Sequence, residues 1–150
     1  MISRALAAVV SAGLVAGGIA AAPTAWTAAM TATAETPATN SKGTGTATFS
    51  LKGNKLEYKL TAKGLTGPAT AAHIHVGAAG VAGPPVYTFT MATNNGSGTV
   101  AEGVIDLTSN TLIGVPGDSL KSMLLHSDLY VNVHTAANPK GEIRGQMKGN

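Results

Sequence analysis

The sequence predicts an antiparallel β-sandwich of about seven short strands with one helical turn. Three observations point there. From about Thr46 onward apolar and polar residues alternate, the period of half-buried strands. Clusters of Gly, Pro and Asn interrupt that alternation at short intervals. Charged side chains make up only 11% of the 150 residues, against about 25% in an ordinary soluble domain, and threonine supplies strand propensity in their place.

Each element has its own local reason. In Ala47–Leu51 the apolar residues sit at odd positions, and in Lys55–Thr61 at even ones. Gly53-Asn54 between them favours positive φ, so the two runs form a hairpin. Further strands are expected at Ala71–Val76, Val86–Met91, Thr99–Leu107, Leu129–Thr135 and Glu142–Lys148. They are separated by turn signals at Gly64 to Pro68, Gly77 to Pro85, Asn94-Asn95-Gly96 and Asn138-Pro139-Lys140-Gly141, the last suited to a type I turn. Asp118 to Leu125 departs from the two-residue period. Leu120, Met123 and Leu124 recur at helical spacing behind Asp118, which reads as a capping residue of a short helix.

The N-terminus reads differently. Thirteen of the first 34 residues are Ala, and Arg4 is the only charged side chain before Glu35. A short basic start, an uncharged apolar run from Ala5 to Ala22, and small residues in A-x-A register form the pattern of a cleaved secretory signal peptide. Cleavage is expected between residues 22 and 34, after Ala20-Ala21-Ala22 or, preferably, after Ala32-Thr33-Ala34. Residues 1–34 are thus expected to be removed, taking Trp26 and Met30 with them. Residues 35–44 read as a flexible linker and 45–150 as the β domain. No transmembrane span is expected to remain, and the address is secreted or periplasmic.

Composition excludes several classes of function. With no cysteine there is no disulfide, thiolate metal site or thiol nucleophile. Without Arg4, nine Lys+Arg stand against seven Asp+Glu, a balance of +2 that is too small for a nucleic-acid footprint. Gly77, Gly80 and Gly83 are followed by Pro84-Pro85 rather than a helix, so they do not cradle phosphate and instead permit a tight loop. Glu102 and Asp106 lie about 13 Å apart along a strand, too far for paired acid–base work. Asn95-Gly96-Ser97 is a glycosylation sequon.

Polar chemistry gathers on three strands. Ala72, Ile74 and Val76 share one face of their strand, leaving His73 and His75 on the other. Val131 and Val133 oppose Tyr130, Asn132 and His134, and Ile143 and Met147 oppose Glu142, Arg144 and Gln146. If the three strands are neighbours, these polar residues form one surface. Glu142 and Arg144, two apart, are then placed for a lateral ion pair, and His126 for a role at the end of its helix.

These segments carry a resemblance. Ala72-His73-Ile74-His75-Val76-Gly77, Gly80-Val81-Ala82-Gly83-Pro84, Tyr130 to Thr135 and Pro139 to Gln146 together resemble the CHRD domain of chordin and of secreted bacterial proteins, over roughly Gly45 to Lys148. The resemblance implies an extracellular, immunoglobulin-like Greek-key sandwich and no established activity. The expected function is therefore a secreted, non-enzymatic binding or structural module. Its partner would be an extracellular protein or a cell-envelope component, contacted through Asn132, Glu142, Arg144 and Gln146, with no cofactor.

The alternative is an extracytoplasmic copper- or zinc-binding protein. His-x-His sets two imidazoles about 7 Å apart at the backbone on one strand face, and His134 can complete the set, imidazole being a good ligand for either metal. Cu/Zn superoxide dismutase also uses a His-x-His strand pair, but four histidines in total leave no second series for a paired site, which argues against dismutase activity. A competing structural reading has the same histidines hydrogen-bonded to Asn132, Glu142 and backbone carbonyls, fixing strand register.

Overall fold

The computed structural model describes residues 21–150. The apolar run expected to act as a leader lies almost wholly outside them. Nine strands occur in the order β1 (Ala25–Thr31), β2 (Thr44–Lys52), β3 (Lys55–Lys63), β4 (Ala69–Val76), β5 (Pro85–Thr88), β6 (Gly98–Asp106), β7 (Leu129–Thr135), β8 (Ile143–Gln146) and β9 (Lys148–Gly149). A single α-helix, α1 (Gly117–His126), precedes β7, and a 3-10 turn (Ala32–Ala34) follows β1. All pairings are antiparallel. Among the described residues, no helix is long and apolar enough to cross a membrane.

The all-β antiparallel expectation holds, and every expected strand and the helix are present. The arrangement of sheets is different. Instead of two separate sheets of an immunoglobulin-like sandwich, the strands join one hydrogen-bonded path, β5-β4-β7-β8-β1-β2-β3-β6, with β9 also on β1. The sheet curls until its two ends meet. Phe89 N–H donates to the Ala72 carbonyl of β4, and three residues later Ala92 N–H donates to Val100 of β6. Met91 forms a bridge with Ala101 between them. Four of the six aromatic residues fill this junction: the Tyr58 and Phe89 ring centroids are 4.8 Å apart, with Phe49 and Tyr87 packed beside them.

The β2–β3 hairpin follows the sequence closely. Lys52 pairs with Lys55 across the two-residue turn, and Gly53 has the positive φ (60°) that this turn demands. Phe49, Leu56, Tyr58 and Leu60 alternate into the core, while Thr48, Lys55, Glu57 and Lys59 face solvent. Helix α1 covers one opening of the curl with buried Leu120 and Leu124. Its first residue is Gly117, so Asp118 lies in the first turn and makes no capping hydrogen bond, contrary to the expectation from sequence. A carboxylate there still meets the positive end of the helix dipole. At the other end, His126 Nδ1 donates to the Ser122 carbonyl at 2.7 Å, the helix-end role expected for it.

The structure corrects the preferred leader boundary. β1 lies between β8 and β2, with seven residues in register with β2. Trp26, Ala28 and Met30 are buried, and Trp26 Nε1 donates to the Leu124 carbonyl at 2.9 Å, tying β1 to α1. Cleavage after Ala34 would remove a central strand together with the largest core side chain. The span 35–44 is no flexible linker either. Thr39 N–H donates to the Ala32 carbonyl, Thr39 Oγ1 to the Glu142 carbonyl and Ser41 Oγ to the Glu142 carboxylate. It is a strap bound across the sheet, and Glu35 within it is buried.

Candidate metal centre on the outer face of the sheet

β4, β7 and β8 are consecutive in the sheet, which meets the condition for one polar surface. His73 lies opposite Asn132, and Asn132 opposite Arg144; His75 lies opposite Tyr130, and Tyr130 opposite Gln146. Ala72, Ile74, Val131, Val133 and Ile143 occupy the inner face and are fully buried. The outer face is unusual in being covered as well, so that Tyr130, Asn132 and Arg144 are also buried.

Two segments provide that cover. One is the strap. The other is the loop after β4, which turns back over its own strand because of its glycines: a methyl group on Gly83 would collide with the Val76 carbonyl. The outer-face side chains hold the loop down. Arg144 Nη2 donates to the Ala78 carbonyl at 2.8 Å, Gln146 Nε2 to Gly77 at 2.7 Å and to Ser127 at 2.9 Å, and Gly83 N–H donates to the Tyr130 hydroxyl at 3.1 Å. The Arg144 guanidinium lies 3.3 Å from the Tyr130 ring centroid, and the His75 ring stacks on Tyr130 at 4.8 Å, nearly parallel. Tyr130 thus serves as the platform of the face.

The three histidines come together. One ligand atom from each of His73, His75 and His134 lies within 4.8 Å of the others. His75 Nδ1 donates to the Gly83 carbonyl at 2.8 Å, and His134 Nδ1 to the Pro139 carbonyl at 3.0 Å. A carbonyl can only accept, so both rings carry their hydrogen on Nδ1 and present a lone pair at Nε2. Both Nε2 atoms stand 3.1 Å from Asn132 Oδ1. His73 Nδ1 approaches His134 Nε2 at 3.0 Å. Burial, then the neighbouring His134 and His75, lowers the His73 pKa to about 4. Burial also lowers that of His75, outweighing the hydrogen bonds to Gly83 and Asn132. At neutral pH these rings are lone-pair donors.

Glu142 does not join this surface. Its backbone precedes β8, and its fully buried carboxylate accepts from Ser41 Oγ, Thr66 N–H and Oγ1, Thr135 Oγ1 and Asn138 Nδ2. It neither bonds the histidines nor pairs with Arg144, and both of those expectations are corrected. It gathers the strap, the β3–β4 connection and the β7–β8 turn onto one anion. Desolvation pushes its pKa up, but hydrogen bonds from Ser41, Thr135 and Thr66 outweigh that and bring it down to about 2.

The family comparison agrees with this geometry. The CHRD domain family model matches residues 26–147, which includes β1 and every residue of the outer face. The chain belongs to the CHRD domain family. No curated protein and no solved structure matches it. In this CHRD domain the family region begins at Trp26, well before Gly45, so the match also counts the strand and strap as part of the domain.

Two residues of the site were not singled out from sequence as part of it. Tyr130 was placed on the polar face, but nothing marked it as the platform shared by His75 and Arg144. Glu35 was assigned to the linker. Its one visible signal is rarity, as the first charged residue after Arg4. Glu35 Oε2 accepts from Thr36 N–H, while Oε1 is buried and has no hydrogen-bond partner among the described residues.

Proposed function

We propose that this CHRD domain is an extracytoplasmic, non-enzymatic binding module whose outer face holds one copper or zinc ion through His73, His75 and His134. The observation that carries the reading is the orientation of the rings. His75 and His134 each commit Nδ1 to a backbone carbonyl, which turns both Nε2 lone pairs toward the same space as His73. Fixing the second ring nitrogen in this way is what metal-ligating histidines ordinarily require. Without cysteine, imidazole is the best ligand the chain possesses for these metals.

Export supports the same reading. The basic start and the apolar run to Ala22 have the form of a leader, and processing at Ala20-Ala21-Ala22 would preserve β1. The loop of residues 77–84, pinned over the face, is the surface offered to an extracellular or envelope partner.

The test is metal analysis of exported, untagged protein after zinc or copper loading and desalting. One equivalent of metal is expected, and it should be lost in the His73→Ala/His75→Ala variant while the circular dichroism spectrum is retained. Sub-stoichiometric metal in the native protein, or undiminished metal in the folded variant, would assign the histidines to a hydrogen-bonded knot that fixes register.

A further inference from the structure

The acceptors around Asn132 outnumber the donors. Its Oδ1 lies 3.1 Å from both His75 Nε2 and His134 Nε2, and each of those rings already has its hydrogen on Nδ1. A carboxamide has a simple remedy, because reversing it would offer an NH₂ with two hydrogens to the two ring nitrogens. The opposing group on the other side of the amide is Glu35. Gly141, at φ +124°, leaves a gap there: a methyl group on it would collide with Glu35 Oε1 and stand 3.0 Å from Asn132 Nδ2. The amide nitrogen and the unpartnered carboxylate oxygen therefore border the same space. Reversal would place the Asn132 carbonyl oxygen against the carboxylate, acceptor against acceptor.

Glu35 also has no cation of its own. Among the described residues no salt bridge reaches it, and its side chain is buried with the residue only 8% exposed. A buried carboxylate without a counter-ion is costly, and a dication beside His75 would offset that cost.

We infer that Glu35 is the positioning residue of the histidine centre: it holds Asn132 with Nδ2 toward the strap and Oδ1 toward the rings, and so makes the cluster a receptor for a divalent cation rather than a closed hydrogen-bonded knot. This rests on the metal reading above and adds its selectivity. Three neutral imidazoles suit monovalent and divalent copper alike. The nearby carboxylate and the inward Oδ1 favour the doubly charged ion. The strap thereby becomes part of the site, because it delivers Glu35.

The experiment uses the exported full-length protein, with zinc as the divalent probe and copper(I) under reducing conditions as the monovalent one, each measured by competition with a chromophoric chelator. Glu35→Gln, which preserves shape and removes charge, is expected to weaken zinc binding about 10–100-fold, in the range for residues that orient metal ligands. Copper(I) affinity should change far less, and Glu35→Asp should recover most of the zinc affinity. An independent reading needs no variant. In the metal-free native protein, NMR of the Asn132 side-chain amide should show no hydrogen bond from its NH₂ to either ring Nε2; such a bond should appear in Glu35→Gln. Unchanged zinc affinity in Glu35→Gln, with loss in His73→Ala/His75→Ala, overturns the role of Glu35 and leaves the metal site standing. An amide already bonded to the rings in the native protein overturns it as well. Failure of the native protein to bind zinc overturns both.

Discussion

The two halves of the sheet use the same strand chemistry to opposite ends. In β2 and β3 the outward residues are exposed Thr, Lys and Glu, and only the inward ones are buried. In β7 and β8 nearly every residue is buried, whichever way it points. The first half is an ordinary amphipathic sheet, which asks nothing of its outer face except solubility. The second is sandwiched between a core and a polar cover, so each outer-face group must find a partner or pay for desolvation. Ordered side-chain chemistry is therefore confined to the second half, and the strap and the glycine loop create that condition.

β1 joins the halves, and removing it is the strongest way to break the contrast. A chain beginning at Glu35 loses Trp26, Met30 and the strand between β8 and β2. It should show no cooperative urea transition by circular dichroism, whereas a chain beginning at Pro23 should unfold in one step. Equal transitions in the two chains would mean that β1 is dispensable. Sequencing the N-terminus of the exported protein should accordingly find Trp26 retained.

The next effect is acid sensitivity of the covered half. The Glu142 pKa is lowered from 4.5 to about 2 in the folded protein, so its stabilising contribution is complete above pH 4.5 and is lost as pH falls toward 2. Glu142→Gln should cost on the order of 2 kcal/mol at pH 7 and flatten the loss of stability between those values. Urea midpoints measured from pH 7 to pH 2 check this, and a parallel decline in both proteins would show that Glu142 carries none of it.

The smallest effect belongs to the open half. Lys59 and Glu102 form an exposed pair at 3.2 Å, and such pairs are typically worth under ~1 kcal/mol and weaken in salt. Lys59→Ala should shift the urea midpoint slightly at low ionic strength and negligibly at high. A shift as large as that of Glu142→Gln would erase the distinction between the halves.

Legibility in the sequence follows the same division. The β2–β3 hairpin was readable because its alternation and its Gly-Asn turn are local. The face carrying His73, His75 and His134 was readable because period 2 fixes which residues point together. What period 2 lacks is register between strands distant in the chain, and that is what sets Asn132 between two rings. β1 contains a valid alternation of Trp26, Ala28 and Met30, but its small residues continue the composition of the run before it, so the strand was hidden within an expected leader. Glu35 is held by contacts more than a hundred residues away along the same strap, and nothing local could announce it. Glu142 failed for the opposite reason: counting by twos put it beside Arg144, whereas β8 begins one residue later, at Ile143.

The short crossing at Phe89 to Ala92 has a consequence for the molecule among its own copies. A sheet ordinarily ends in two strands whose free amides and carbonyls can template another chain. Here the segment after β5 bonds first to β4 and then to β6, turning both borders toward each other. The chain thereby guards itself against strand-by-strand polymerisation, a protection obtained from three residues of backbone rather than from added charge, of which this sequence has so little.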